Sequence, residues 1–459
     1  MTVAAIPIIT TLAEYQTRFW LEVGLELQRL GRPARFLSFD SRSNEMLAAA
    51  GLDHVDATAS ACTAELAGRN AAEVCRSFGM DRLNFWLTHE KFAFGARDTD
   101  ALMRKLAGTL LVADKAIRTL PAGARATMVQ ELGGFLSVIG SHFAALHHGL
   151  PSWFIEPSFF RGRMLFLEGD VAARKLPDGM AAEPAGDVLA YLQDTLDRSA
   201  IVIPEKDRHQ YTTAFRKVIN LRNLKRLGEK LVDKHLLGKQ QEFGHIGSHV
   251  STHARMILAS RKLAGHYTPV EQLGRFVYYP LHVPGDMALT LRSPQFLDQA
   301  ALVDYLCRIA PPDVTIAVKE HPAMIGAMGA EPLLRLKQRY DRFHIIPPAT
   351  NNFEVLKQAA AVVTVNSKSG AEAGLLGQQV LVLGDAFYRN APFSTPVNTL
   401  TDVGEALRRV LDGEDAPPPR ERTLAYFAAL WGETHRGDLY VTDPANIARF
   451  TASLVQATA

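Results

Sequence analysis

The chain of 459 residues contains only three cysteines, Cys62, Cys75 and Cys307. This small and odd number argues against a disulfide framework and is typical of reduced, buried thiols in a cytosolic protein. No apolar run is as long as a membrane span, so any contact with a membrane would be peripheral. The N-terminus has no basic leader before its first apolar run, and we expect a strand there rather than a signal peptide.

Other absences exclude further classes of function. The formal net charge is only +2, so no overall field favours nucleic acid as a partner. There is no G-x-G-x-x-G or P-loop pattern, which argues against NAD and ATP, and no G-x-S-x-G elbow of a hydrolase. The pair His147 and His148 has no acidic or cysteine partner at metal-site spacing. We therefore predict neither a cofactor nor a bound metal ion.

The most informative segment that is present runs from Ala361 to Tyr388 and reads AVVTVNSKSGAEAGLLGQQVLVLGDAFY. Its β-branched run from Val362 to Val365 predicts a buried strand, and Ala371 to Leu376 predicts a helix after a polar turn. Such a turn gathers backbone N–H groups, a helix N-terminus and hydroxyl groups, which suits a phosphate. The alternative is that Asn366 or Ser367 only caps the helix.

The length and the alternation of elements predict two domains. A β-α-β pattern opens the chain between Val3 and Phe39, and a second alternation of strands and helices begins near Arg275. The predicted fold class is α/β, with two Rossmann-like domains that face a cleft and a helical insertion between them. The expected divisions are a first Rossmann-like domain at residues 1–200, a basic helical insertion at 201–270, a second Rossmann-like domain at 271–415 and a helical tail at 416–459.

The insertion carries a cluster of cationic residues, which are Arg216, Lys217, Arg222, Lys225, Arg226 and Lys230. A cationic helix could rest on anionic lipid headgroups. The alternative is a solvated face that only keeps the protein in solution, and the sequence leaves both alternatives open.

Polar residues follow two strands of the second predicted domain. Lys319 and His321 come after the strand that ends at Val318, and the turn from Asn366 to Gly370 comes after the strand that ends at Val365. Ligands of parallel sheets bind at the carboxyl ends of the strands, so both groups should open onto one edge of the sheet. Lysine and histidine there offer cationic donors suited to a phosphodiester, although a lone histidine is more often structural.

Two carboxylates are candidates for catalysis, one from each wall of the expected cleft. Asp286 lies in a loop beyond the strand at 276–279, and Glu156 follows the strand at 153–155. A retaining glycosyl transfer can use one carboxylate as the nucleophile and a second group as the base for the incoming hydroxyl. Each of the two could instead be a turn residue or a helix cap.

Four blocks of the sequence resemble the bacterial capsule polysaccharide synthesis family, whose characterised members are β-Kdo transferases that use CMP-Kdo. The blocks are FIEPSFFRGRMLFLEG (Phe154 to Gly169), FVYYPLHVPGD (Phe276 to Asp286), VKEHP (Val318 to Pro322) and TVNSKSGAEAGLLGQQVLVLGDAFY (Thr364 to Tyr388). The last block is the longest match, and the similarity is strongest to the lipid-primer enzymes of capsule export systems.

This resemblance implies a GT-B fold and a CMP-sugar bound mainly by the second domain. It implies that the residues around the nucleotide are Lys319, His321, Asn366, Ser367, Ser369, Gly370 and Glu372. It makes Asp286 the expected nucleophile, sets Glu156 facing the acceptor, and puts His282 and Arg161 on the acceptor and sugar side. His282 stands where the family commonly has glutamine, and this difference lies on the sugar side of the expected site rather than on the nucleotide side.

The first hypothesis is a metal-independent glycosyltransferase that moves Kdo, or a related ulosonic acid, from CMP to a glycan or glycolipid in capsule or surface polysaccharide synthesis. The second is a GT-B enzyme for another nucleotide sugar, such as a UDP-hexose. The third is a non-catalytic glycan- or nucleotide-binding component of an assembly complex. The expected partners are a nucleotide-sugar donor and a glycan or glycolipid acceptor, without nucleic acid. We expect a cytoplasmic protein, with peripheral lipid contact at the inner membrane left open.

Overall fold

The computed structural model describes residues 5–199, 237–243 and 246–458. Thirteen strands form two sheets within them. The strands are β1 Ile6–Thr11, β2 Arg35–Ser38, β3 His54–Asp56, β4 Ala126–Glu131, β5 Ser152–Pro157, β6 Arg163–Glu168, β7 Phe276–Pro280, β8 Thr315–Lys319, β9 Phe343–Ile346, β10 Ala361–Thr364, β11 Val380–Val382, β12 Ser394–Pro396 and β13 His435–Arg436.

Helices cover both sheets. Those before the first gap in the described chain are Glu14–Arg29, Ser41–Ala49, Ala59–Leu66, Ala71–Ser77, Leu83–Phe94, Thr99–Arg118, Leu136–His147 and Gly186–Arg198. Those after it are Ile246–Leu263, Met287–Thr290, Gln299–Ile309, Ala330–Arg339, Asn352–Gln358, Lys368–Leu375, Val403–Leu411, Arg420–Gly432 and Pro444–Ala457. None of these described helices is long and apolar enough to cross a membrane.

The first sheet has the order β13-β6-β5-β4-β1-β2-β3. Its strands β5, β4, β1, β2 and β3 pair in parallel, whereas β6 runs antiparallel to β5 and to β13. The second sheet has the order β12-β11-β10-β7-β8-β9 and is parallel throughout. Every residue of β7, β8 and β10 is buried, which is why these strands read as apolar runs. The predicted α/β class with two Rossmann-like domains is confirmed.

The C-terminal tail returns to the first domain. Strand β13 adds to the edge of the first sheet through β6. The helix Pro444–Ala457 packs on the helix Glu14–Arg29, where the ring of Phe450 lies 4.9 Å from Phe19 and 5.6 Å from Trp20. The first domain is therefore built from both halves of the chain.

The predicted basic cluster of the insertion at 216–230 lies outside the described residues. Residues 237–243 lie on the first domain, where the Gln240 backbone N–H donates to Ser41 Oγ over 2.9 Å. The helix Ile246–Leu263 instead contacts the helix Ala330–Arg339 of the second domain. The described part of the insertion thus contacts both domains, and its contact with lipid stays a prediction.

Candidate active site

The carboxyl ends of the two sheets face each other across a cavity of about 560 Å³. Residues from both domains line this cavity, as expected for ligand sites in parallel sheets. The residues predicted from sequence that line it are Glu156, His282, Asp286, Lys319, His321, Asn366, Ser367, Ser369 and Glu372. Two predicted residues, Gly370 and Arg161, lie outside its lining.

Lys319 is the last residue of β8 and is only 4% exposed although it carries an ammonium group. Burial lowers the pKa of this lysine to about 8, and the charge of Glu372 opposes that shift. Within the described residues, its ammonium group forms neither a hydrogen bond nor an ion pair. Because a buried cation without an anion is costly, this position favours an anionic ligand in the cavity.

Glu372 belongs to a buried hydrogen-bonded network behind Lys319. The Asn352 amide donates to Glu372 Oε2 over 2.6 Å and to Ser369 Oγ over 3.0 Å. Tyr278 OH in turn donates to Asn352 Oδ1 over 2.9 Å. Burial raises the pKa of Glu372, and the hydrogen bond from Asn352 opposes this shift. The network fixes a carboxylate and a hydroxyl group at the cavity wall.

Ser367 is a helix cap, as one interpretation of its turn predicted, and its contact with a phosphate stays a prediction. It caps the helix Lys368–Leu375, because its Oγ accepts from the Ser369 backbone N–H over 3.2 Å, and it also lines the cavity. The helix begins at Lys368 rather than at Ala371, since this cap extends it by a turn. Across the cavity lining, His321 Nδ1 accepts from the Ala323 backbone N–H over 3.3 Å, so the neutral ring carries its proton on Nε2.

Asn366 lines the cavity and also holds two loops together. Its Nδ2 donates to Ala288 O over 2.6 Å and to Ser293 Oγ over 3.3 Å. Its backbone N–H donates to His282 Nε2 over 3.2 Å. Burial lowers the pKa of His282 to about 4, so this imidazole is neutral at neutral pH. Asn366 therefore positions the loop that carries His282 and Asp286.

Gly370 lies behind the residues that line the cavity and allows Tyr388 to approach closely. A Cβ atom at this position would lie 2.4 Å from the hydroxyl of Tyr388, which donates to Ser367 O. Arg161 is exposed in the connection between β5 and β6, and its backbone N–H donates to Tyr191 OH over 2.8 Å. The predicted acceptor-side role of Arg161 stays a prediction that its position does not support.

Asp286 caps the short helix Met287–Thr290, since its Oδ1 accepts from the Ala288 backbone N–H over 2.9 Å. The same side chain is exposed in the cavity. The helix it caps packs against the first domain, where Thr290 Oγ1 lies 2.8 Å from Nδ1 of the buried His89. Contacts with both domains therefore fix the position of Asp286.

Sequence reasoning missed Arg292, which joins the two domains. Its guanidinium binds Glu156 in a bidentate ion pair, with N···O distances of 3.2 and 3.3 Å. Its Nε donates to Val171 O over 2.7 Å, and its Nη2 donates to Ala172 O over 3.3 Å. No local signal marks this arginine, because all these partners are more than a hundred residues away in sequence.

Two more carboxyl groups of the cavity were also missed. Glu320, between Lys319 and His321, is 2% exposed, and burial raises its pKa to about 7. Its Oε1 accepts from the Gly326 backbone N–H over 2.9 Å. Glu131 is the last residue of β4 and lines the wall formed by the first domain. Its place at a strand end, like that of Glu156, was the available signal.

Within residues 5–199, 237–243 and 246–458, no group of three or more histidine, cysteine or acidic side chains could hold a metal ion.

Comparison with known families gives a match that begins near the middle of the chain. Residues 206–399 match the family described as capsule polysaccharide biosynthesis protein. The resemblance that the sequence motifs predicted is confirmed over this segment. Protein FixF from Sinorhizobium fredii is 34% identical over 139 residues, which are 28% of this chain and 32% of FixF. The chain thus matches about a third of the length of this curated relative.

Several solved structures are similar at low identity. The β-Kdo 2,4 transferase of KpsC from Thermosulfurimonas dismutans aligns with a TM-score of 0.34 and 16% identity, over 73% of this chain and 88% of that structure. The β-Kdo 2,7 transferase of the same protein gives 0.34 and 15%, over 76% and 89%. MurG from Acinetobacter baumannii gives 0.31 and 11%, over 99% of each chain. At these values the likeness transfers no substrate and no residue role.

Proposed function

We propose that this chain, which resembles the capsule polysaccharide synthesis family, is a metal-independent glycosyltransferase of capsule or surface polysaccharide synthesis. Its donor is a CMP-linked sugar, Kdo or a related ulosonic acid, and its acceptor is a glycan or glycolipid. The observation that carries the proposal is Lys319, a buried ammonium group that faces the cavity without a carboxylate at ion-pair distance within the described residues. The phosphate of a nucleotide supplies the missing anion.

The groups around Lys319 suit the rest of a nucleotide. The His321 ring offers an N–H on Nε2, and Ser367 lies at the start of a helix, where the positive end of the dipole favours an anion. Ser369 and Glu372 add a hydroxyl and a carboxylate to the same wall. Sugar hydroxyls of a ribose can donate to such acceptors.

In the first chemical step, an Asp286 oxygen attacks the anomeric carbon. The bond from that carbon to the phosphate oxygen breaks, and CMP leaves with the electron pair. Lys319 and His321 stabilise the negative charge that develops on the phosphate. In the second step, the acceptor oxygen displaces Asp286 while a base takes the proton of the acceptor hydroxyl, so two inversions give retention.

The substitution Asp286→Asn tests this mechanism sharply. Asparagine caps helices as well as aspartate does, so the helix Met287–Thr290 should persist. We expect transfer from CMP-Kdo to fall by about 10³-fold or more, as for other lost nucleophiles. Affinity for CMP in isothermal titration should stay unchanged, and mass spectrometry should find a glycosyl adduct on Asp286 of the wild type alone.

Transfer at a near-normal rate in the Asp286→Asn variant would remove this residue from the mechanism. Titrations of the wild type with CMP, UDP and GDP test the donor separately. A clear preference for UDP would overturn the CMP-sugar assignment and favour a hexose donor. The substitution Asp298→Asn, at the exposed cap of the helix Gln299–Ile309, is the matched control and should change neither binding nor transfer.

A further inference from the structure

The wall of the cavity that faces the proposed donor site carries two carboxylates on adjacent strands. Glu131 ends β4, and Glu156 lies near the end of the neighbouring parallel strand β5. In the register of the two strands Glu131 is opposite Ile155, so the two glutamates are offset by one residue at the same edge. Either of them could receive a proton from an incoming hydroxyl group.

Glu156 is poorly placed for that task because both of its oxygens bind the guanidinium of Arg292. This arginine is itself held by the carbonyl groups of Val171 and Ala172, and only 10% of its side chain is exposed. A proton arriving at Glu156 would have to displace a charge-assisted bidentate pair. Glu156 thus serves to join the domains.

Glu131 is oriented by neutral donors from separate parts of the chain. Trp20 Nε1 donates to its Oε1 over 2.8 Å, and Gln16 Nε2 donates to its Oε2 over 3.3 Å. Gln16 is fixed in turn, since its Oε1 accepts from the Leu12 backbone N–H over 2.9 Å. Tyr440 OH donates to Oε2 from the C-terminal tail. The carboxylate is held in one orientation at the cavity wall, as acid–base groups of active sites are.

Tyr440 takes an unusual backbone conformation to reach Glu131. Its φ is +67°, in the left-handed region that aromatic residues rarely adopt. Its ring packs edge-on against Tyr15 and Phe19, with centroids 5.4 and 6.1 Å away. Burial and the charge of Glu131 raise the pKa of Tyr440 well above its usual range, so it remains a proton donor to the carboxylate. Such strain is typical of positions whose side chain serves a site.

We propose that Glu131, rather than Glu156, accepts the proton of the acceptor hydroxyl, and that Tyr440 is its positioning residue. The inference rests on the proposed function. In the second step, the acceptor oxygen bonds to the anomeric carbon and the bond from that carbon to Asp286 breaks. The electron pair returns to the Asp286 carboxylate, and the hydroxyl proton passes to Glu131.

The test compares Glu131→Gln with Glu156→Gln in the full chain, using CMP-Kdo and a UDP-hexose as donors and a Kdo-terminated glycan as acceptor. Loss of a general base slows transfer by roughly 10²- to 10⁴-fold. We expect this loss for Glu131→Gln, with unchanged CMP affinity. Because the first step needs no base, the adduct on Asp286 should accumulate in this variant even when acceptor is present. Glu156→Gln should not accumulate the adduct.

The substitution Tyr440→Phe keeps the carboxylate and covers the case in which Glu131→Gln does not fold. The carboxylate loses a donor, so the acid limb of the kcat–pH profile should move to higher pH, while the KM for the donor stays unchanged. The other charged groups on this wall, Glu156 and Arg292, are retained. A melting temperature near that of the wild type separates positioning from a loss of fold.

The outcomes distinguish the inference from the proposed function. Transfer by Glu131→Gln within threefold of the wild type, or an unshifted acid limb in Tyr440→Phe, overturns the role of Glu131. Accumulation of the adduct in Glu156→Gln but not in Glu131→Gln also overturns that role. A wild type that uses only the UDP-hexose overturns the proposed donor and leaves the comparison of the two glutamates valid. A wild type that transfers from neither donor overturns both.

Discussion

The proposed nucleotide site of the second domain depends most on one residue, the buried Lys319. Lys319 is buried at the end of β8, and the low polarity around it brings its pKa down to about 8. Its ammonium group is therefore largely charged at pH 7 and increasingly neutral above pH 8. A bound phosphate interacts with the charged form, so the affinity for a nucleotide should depend on pH in this range.

We expect the affinity for CMP to be highest near pH 7 and to fall as the pH rises through 8 toward 10. The CMP phosphate, whose second pKa is about 6, gains only a little more negative charge above pH 7, and this would strengthen binding. A fall in affinity therefore belongs to the protein. A charge-assisted hydrogen bond contributes about 1.5–3 kcal/mol, which is roughly 10- to 100-fold in affinity. Isothermal titration at several pH values measures this change in the affinity for CMP.

The variant Lys319→Met should bind CMP weakly and with no such pH dependence. The exposed Lys262, which pairs with Glu331 on the surface, provides the control Lys262→Met, whose CMP affinity should follow the wild type. Equal affinity of the wild type at pH 7 and pH 9.5 would contradict the role of Lys319.

The positions of Lys319 and Asp286 at the cavity could be predicted, because Lys319 ends a strand and Asp286 lies in the loop after another. Arg292 and the donors around Glu131 could not, because their contacts join residues far apart in the chain. Trp20 and Tyr440, which both donate to Glu131, are separated by most of the sequence. Only the packing of the two domains and the tail brings such groups together.

Among the helices, Lys368–Leu375 carries most of the candidate nucleotide site. Its sequence KSGAEAGL contains two glycines and a serine, which disfavour a helix by propensity. It forms because Ser367 caps it and because its apolar face is buried against Tyr388 and Phe393. This is why the sequence pattern predicted its later part but not its first turn.

The close approach of Tyr388 to this helix depends on Gly370. In the variant Gly370→Ala the added methyl group would lie 2.4 Å from the Tyr388 hydroxyl, so the ring must move away from Ser367. We expect the free energy of unfolding to fall by about 1–3 kcal/mol, as for other overpacked cores, and CMP to bind more weakly. Urea unfolding and titration with CMP measure the two effects.

A double-mutant cycle identifies the cause. In the Tyr388→Leu background, Gly370→Ala should lower the free energy of unfolding by much less, because the aromatic ring is no longer present. The control Gly432→Ala adds a methyl group at a helical glycine with nothing within 4 Å and should leave stability unchanged or slightly higher. An equal cost of Gly370→Ala in both backgrounds would show that Tyr388 is not the reason.

At the scale of the whole molecule, polar contacts hold the two domains across the cavity. Arg292 binds Glu156, Lys175 binds Asp385, and the Ala173 backbone N–H donates to Asp385 Oδ2 over 2.8 Å. These contacts determine how far the candidate donor and acceptor walls stand apart. The sequence predicted both domains and the cleft from the alternation of elements. No local sequence pattern predicted the ion pairs and hydrogen bonds that join the two domains.

The variant Arg292→Met tests whether these contacts hold the two domains together. It leaves Glu156 without its cation and removes two donors to backbone carbonyl groups. We expect a larger radius of gyration by small-angle X-ray scattering in the absence of CMP, and a free energy of unfolding lower by about 1–3 kcal/mol. An unchanged radius of gyration would mean that the remaining contacts hold the two domains together without Arg292.

The exposed pair of Arg174 and Glu433, with an N···O distance of 2.8 Å, supplies the comparison. Because exposed ion pairs contribute only about 0–1 kcal/mol, Arg174→Met should alter neither the radius of gyration nor the stability appreciably.

The return of the tail has a consequence for synthesis on the ribosome. Strand β13 and the helix Pro444–Ala457 complete the first domain, yet they are translated after the whole second domain. During synthesis we therefore expect the N-terminal sheet to have an open edge at β6, with Phe19 and Trp20 uncovered, until β13 and the helix Pro444–Ala457 have been made. The second domain, whose strands are contiguous in the chain, can fold first, in the reverse of the usual order.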